Sequence, residues 1–311
     1  MRYEHFGNLL QELRIKYNMS REKLAANICT PKQIYRIEKG ESKPSIYLLH
    51  QLSIKFNLDL NEYYKMYFTS NTIVGFEGVK SINAALEAGN IPFLKSIIEK
   101  YEKLEDFKKG ENLQHIYYCK ALCSALLDTD YNSSLEYCYE GIKVECPEFN
   151  IDKISKNMYS NVGITLISSI SNNFFALNQF NNGIKVLSEL LAVLETYAID
   201  SIHPLFHSSQ FSQKIYQGLL YNMGFYLFEH SEYKRAINYV EKGITFSLKE
   251  NNFRHLPDLI FMKFKLLYNE QQYDKALEYY KQALSLYKIT NNESVLYELN
   301  STVKDDFPKI F

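Results

Sequence analysis

A chain of 311 residues has room for roughly two domains, and a hydrophobic fraction of 46% can build a sizeable core. Only 12 Gly and 7 Pro argue against an all-β chain dense in turns, and no apolar run approaches the roughly 18 residues a bilayer span needs. The net charge of -1 hides an asymmetry: residues 1–68 hold 11 Lys+Arg against 7 Asp+Glu, a net of +4, and the remainder holds 24 against 29, a net of -5. A small basic module on a larger acidic body suits an anion-binding head carried by a separate sensor or scaffold.

The N-terminal stretch MRYEHFGNLLQELR has no apolar h-region, so no signal peptide is expected and the chain is expected in the cytoplasm. Five cysteines, an odd number with no C-x-x-C pair, fit a reduced compartment. Cys119 and Cys123 share a helical face, where core packing explains them as well as chemistry does.

Five short helices are predicted in the first 68 residues. Phe6, Leu9, Leu10 and Leu13 repeat at helical spacing and give a first helix over about 5–17. Ser20 is a good N-cap for a second, over about 20–28. Thr30 caps the third, with Pro31 at its first position, where the missing N–H costs nothing, and Gly40 ends it. A fourth runs from about Ser45 to Phe56 and a fifth from about Leu60 to Phe68. Helices two and three are joined by a very short turn around Cys29, the arrangement of a helix-turn-helix.

The residues Gly7, Leu13-Arg14, Ser20, Leu24-Ala25, Ile34, Ile37-Glu38, Gly40, Pro44-Ser45 and Leu52 make this segment resemble the lambda-repressor-like, XRE-type DNA-binding domain. The resemblance places Pro31, Lys32, Gln33 and Arg36 on the groove-facing side of the recognition helix. Lys32 and Arg36 offer donors to guanine O6/N7 or to phosphate, and Gln33 can pair with adenine. Arg21 and Lys43 are expected at phosphates, which set register without reading sequence. Arg21 departs from the glutamine more usual there. Tyr35 is expected to stack on sugar or backbone, or simply to be partly exposed. Arg14 and Glu38 match a structural ion pair of the fold. Without the resemblance, a charged helical face is ordinarily just a solvated one.

Residues 76–311 read as helices with short polar breaks, after a linker at 69–75. A repeat runs through DYNSSLEYCYEGI (130–142), EYKRAINYVEKGI (232–244) and QYDKALEYYKQAL (272–284). Small residues recur at Ser134, Ala236 and Ala276 and again at Gly141, Gly243 and Ala283, on one stripe that lets a neighbouring helix approach. The segments 88–104 and 178–195 look like degenerate second helices, and Gly224 in QGLLYNMGFYLF is the small contact point of a first helix. The pattern resembles tetratricopeptide repeats and predicts an all-α chain: a five-helix head followed by an α-solenoid of about five hairpins.

In such repeats the first helices line a concave face that holds extended peptides. Asn222, and Asn161 in a similar local sequence, are candidates to meet a peptide backbone, because the amide both donates and accepts. Tyr221, Phe225 and Phe228 are candidate pocket residues, and Lys120 and Lys265 are candidate partners of a peptide carboxylate. Each has a plain alternative: an exposed Asn, or an aromatic in the core.

No catalytic constellation is found: no glycine-rich phosphate loop, no nucleophile elbow, no H-E-x-x-H. His203 and His207 in HPLFH lack a third ligand at a recognisable spacing, so neither metal nor cofactor is expected.

Head and body together resemble the peptide-responsive RNPP regulators of Gram-positive bacteria, with LAANICTPKQIYRIEKGESKPS and NEYYKMYF carrying a likeness to the PlcR and PrgX type. The resemblance implies double-stranded DNA bearing an inverted-repeat operator, a short signalling peptide, a homodimer and a contact to RNA polymerase as partners, with no membrane. Residues 59–74 are the expected hinge. Alternatives stay open: a regulator whose repeats bind a partner protein or only dimerise, a phage-type repressor with a scaffolding solenoid, or an enzyme on a repeat scaffold.

Overall fold

The computed structural model describes residues 5–61, 64, 73–196, 210–290, 295–296, 303 and 306–309. These residues are helical with connecting turns. They divide into two compact units, Met1–Glu145 and Cys146–Phe311.

The first unit begins with α1 (Phe6–Lys16), α2 (Arg21–Ala25), α3 (Pro31–Glu38) and α4 (Ile46–Phe56). Three of these starts are fixed by side-chain caps. Ser20 Oγ accepts from the Lys23 N–H at 3.1 Å, Thr30 Oγ1 from that of Gln33 at 3.2 Å, and Ser45 Oγ from that of Leu48 at 3.2 Å. The second helix is shorter than the expected 20–28, because Asn27 takes a left-handed φ of 64° that no helix continues through. Lys55 Nζ, reaching over from α4, donates to the carbonyls of Lys23, Leu24 and Ala26 at 2.9–3.0 Å and satisfies that early end. Of the expected fifth helix, Leu60, Asn61 and Tyr64 are helical, and 65–68 lie outside the described residues.

Phe6, Leu10, Leu24, Ile34, Ile37, Leu49, Leu52 and Phe56 bury against one another as the core of this head. Gly7 is required by it. A Cβ there would stand 1.8 Å from the Ile37 carbonyl oxygen, so α1 and α3 meet backbone to backbone.

Five helix pairs follow the head. They are α5 (Ile73–Glu87) with α6 (Ile91–Tyr101), α7 (Gly110–Leu126) with α8 (Tyr131–Lys143), α9 (Asn161–Ala176) with α10 (Phe180–Leu194), α11 (Gln210–Glu229) with α12 (Tyr233–Lys249), and α13 (Leu256–Asn269) with α14 (Tyr273–Ile289). The first two pairs lie in the first unit and the last three in the second. Among the described residues this makes the five hairpins expected. One left-handed residue turns each: Gly89, Thr129, Asn178, Ser231 and Gln271. Only the first is glycine, which is why a glycine count does not reveal the turns.

The small-residue stripe is buried as expected. Ser134, Ala236, Ala276 and Ala283 are all covered, as are Gly141 and Gly243. A Cβ on Gly224 would meet Val240 Cγ2 at 2.6 Å, and one on Gly243 would meet Leu259 Cδ2 at 2.8 Å. In the α9–α10 pair a Cβ on Gly183 would meet Phe175 Cε1 at 2.7 Å, and Ser171 Oγ donates to the Gly183 carbonyl at 2.9 Å. Cys119, Cys123 and Cys138 are buried thiols that form no disulfide, and burial holds them above the usual range.

Candidate nucleic-acid interface and peptide groove

The third helix puts Ile34, Ile37 and Glu38 inward and leaves Pro31, Lys32, Gln33, Tyr35 and Arg36 exposed. Helical periodicity alone enforces this split: 34, 37 and 38 share one face of an eight-residue helix. The exposed edge therefore carries two cations, an amide and an aromatic ring from a rigid, doubly fixed support. Lys43, in the loop that follows, is also exposed. Arg36 stands 4.0 Å from Glu41, both half in water, an interaction too weak to withhold it from a phosphate.

Glu38 organises this support. Its carboxylate is fully buried and accepts from Arg14 Nε at 2.6 Å and from Arg21 Nε at 2.7 Å. Arg14 Nη1 also donates to the Met19 carbonyl at 2.9 Å. One buried anion thus ties α1 and the start of α2 to α3. Arg21, expected at a phosphate, also makes contacts within the head. Its Nε is committed to Glu38 and its guanidinium lies 5.2 Å from the Tyr35 ring centroid. That contact leaves Tyr35 41% exposed beside the cations.

In the second unit, the α11 residues Tyr221, Asn222, Phe225 and Phe228 are all half-buried. Tyr221 and Phe225 stack at 6.3 Å, and Phe228 meets Lys265 Nζ of α13 at 5.5 Å. Lys265 therefore joins the aromatic strip. Burial, and after it the charge of Asp258, pushes the Tyr221 hydroxyl up to about 12.

Asn161 does not share the register of Asn222. Asn222 precedes the left-handed Ser231 by nine residues, whereas Asn161 is the first residue of α9, exposed next to its cap Ser160. The position nine before Asn178 is Ser169. Local sequence around Gly163 imitated that around Gly224 without sharing its place in the hairpin. Lys120 does occupy the register, nine before Thr129, but it belongs to the first unit and its Nζ is held by Glu102 at 2.8 Å. His203 and His207 lie outside the described residues, as does most of the expected hinge at 59–74. Among the described residues no cluster of His, Cys, Asp and Glu could hold a metal ion, and no helix is long and apolar enough to cross a membrane.

Residues 10–63 match the helix-turn-helix family HTH_3. No curated protein sequence matches significantly. Among solved structures, the chain is similar to Bacillus thuringiensis PlcR in complex with the peptide PapR7 and DNA: 16% identity, a TM-score of 0.74, covering 96% of this chain and 99% of that one. Streptococcus dysgalactiae Rgg2, a pheromone receptor, is 17% identical with a TM-score of 0.63 over 97% and 100%. ComR from S. thermophilus, in complex with DNA and its signalling peptide ComS, is 18% identical with a TM-score of 0.58 over 95% and 97%. The chain is thus a helix-turn-helix protein that shares, over nearly its whole length, the fold of the RNPP regulators PlcR, Rgg2 and ComR.

Proposed function

We propose that this chain is a sequence-specific transcriptional regulator whose DNA affinity is set by a short signalling peptide held along the first helices of its repeat hairpins. The observation that carries the DNA half is the exposed edge of α3, with Lys32, Gln33 and Arg36 projecting from a helix fixed by Thr30 and by the buried Glu38. Such an edge fits the major groove. Lys32 and Arg36 suit guanine or phosphate there, and Gln33 suits adenine. Lys43, with the free face of Arg21, lies toward the phosphates.

The peptide half is supported by the half-buried aromatic strip of α11 with Asn222 in its middle. Solved structures of similar fold carry such ligands, PapR7 on PlcR and ComS on ComR. In this reading residues 1–68 are the head, 76–311 the sensor, and 59–74 the hinge between them. Two chains pair through their repeats and present two recognition helices to half-sites about 34 Å apart, or a multiple of that. The peptide shifts DNA affinity, or contact with RNA polymerase, by as much as it prefers one arrangement of the pair over another. The site of action is the cytoplasm, where both DNA and re-imported peptide are found.

A mobility-shift assay on the DNA upstream of the gene tests this. It is run with and without synthetic peptides copied from the C-termini of neighbouring short reading frames. The expected result is a retarded band whose midpoint moves with one peptide. No binding to any duplex at low salt, under every peptide condition, overturns the reading.

A further inference from the structure

The facing sides of α11 and α13 carry opposite charges at their two ends. On α13, Asp258 and Lys265 are seven residues apart, two helical turns, and so share one face with about 10 Å between them. On α11, Tyr221, Phe225 and Phe228 share the opposing face. Lys265 Nζ lies over Phe228 at 5.5 Å and over Phe261 at 5.8 Å, and among the described residues no carboxylate pairs with it. A cation surrounded by rings and only half in water is poorly solvated, and an arriving carboxylate would compensate it.

The other end is acidic. Asp258 Oδ1 accepts from the Tyr287 hydroxyl at 2.7 Å, and His255 Nδ1 stands 3.7 Å from Oδ2. Tyr287 and Tyr221 both have their hydroxyls held protonated by burial and by the Asp258 charge, so the carboxylate keeps neutral neighbours on those sides. The surface is therefore an aromatic strip with an anion at one end and a cation at the other.

We propose that this strip selects an extended peptide bearing a cationic side chain against Asp258 and, three residues along, a carboxylate against Lys265, with apolar side chains between them on Phe225 and Phe261. Residues three apart in a polyproline-II chain stand on one face at about 9 Å, which matches the spacing on α13. The inference rests on the peptide reading above and adds to it which peptides are preferred.

The test uses the full chain and the blocked hexapeptide acetyl-Leu-Lys-Leu-Pro-Glu-Leu-amide, with binding read by calorimetry. Its controls replace both charged residues by Gln, by Lys or by Glu. The dipolar peptide is expected to bind roughly tenfold or more tighter than every control, tenfold being about 1.4 kcal/mol. Asp258→Asn and Lys265→Met, each checked for an unchanged thermal melt, should each erase most of that advantage. Asn keeps an acceptor for Tyr287, and Met keeps the packing on Phe228. Equal binding of dipolar and neutral peptides, or an advantage that survives both variants, overturns the charge selection and leaves the peptide reading standing. If no peptide of the set binds, the charge selection is overturned as well, and the operator assay alone decides the wider reading.

Discussion

Arg14 Nε donates to Glu38 Oε1 at 2.6 Å, which joins α1 to the recognition helix through an ion pair whose acidic partner is completely buried. Arg21 takes the second carboxylate oxygen, so the same anion holds the start of α2. A buried pair of this kind contributes little compared with a well-packed apolar substitute, yet breaking it by removing one partner is costly. We predict that Glu38→Ala destabilises the head by about 3 kcal/mol, measured by urea unfolding with operator binding as the readout. A loss below about 1 kcal/mol would show that the two arginines find water instead.

Gly7→Ala tests the backbone contact between α1 and α3. The added Cβ would lie 1.8 Å from the Ile37 carbonyl oxygen, so one helix must shift away. Overpacking of this kind costs about 1–3 kcal/mol. The expected result is a lower denaturation midpoint for the head together with weaker operator binding, because α3 carries the DNA-facing edge. An unchanged midpoint would mean that the contact is looser than it stands here.

Lys32→Ala with Arg36→Ala should abolish specific operator binding while fold and peptide binding persist, since both side chains are exposed and neither supports the core. To the extent that the pair contacts phosphate, the salt dependence of residual binding should fall by up to about 2 in slope. Unchanged footprints would remove this edge from the interface.

Asn222→Ala should weaken peptide binding by about 1–3 kcal/mol, because backbone groups of the bound peptide would be left without partners. Asn161→Ala, at the exposed start of α9, should have no comparable effect. Calorimetry on both variants with one peptide distinguishes the two asparagines, and equal affinities for Asn222→Ala and the unsubstituted chain would remove Asn222 from the groove.

His115 predicts a pH dependence. Burial lowers its pKa from 6.5 to about 4, and among the described residues its buried Nδ1 has no hydrogen-bond partner. Because the folded value is depressed, the unfolded chain binds the proton first as pH falls. Stability due to this group is complete above about pH 6.5 and declines toward pH 4, by an order of 1–3 kcal/mol. His115→Leu should flatten that part of the stability profile relative to the unsubstituted chain. Parallel profiles for the two proteins would contradict the assignment.

The helical architecture could be read from the order of residues because its causes are local. Ser20, Thr30 and Ser45 cap helices through atoms three residues away, and Pro31 and Gly40 act within their own turns. The inward and outward sides of α3 follow from periodicity alone. The repeat was visible because close packing demands small side chains such as Ala236, Gly243 and Ala276 at a fixed interval. Composition hid the turns, since Thr129, Asn178, Ser231 and Gln271 adopt the left-handed conformation without being glycine.

What residue order alone could not supply were partners distant along the chain. Nothing near Arg21 indicates that Glu38 would claim its Nε, or that Lys55 would close α2 from 29 or more residues away. Asn161 resembled Asn222 in its neighbours, and only the hairpin turns set their true registers two helical turns apart. Asp258 gave no sign of its place beside Tyr221 until α13 packed against α11 and brought its charge there. Short-range rules fix which helices form and which sides they bury. Charge pairing and register depend on how those helices meet, because Coulomb attraction and desolvation act across space and take no account of separation along the backbone.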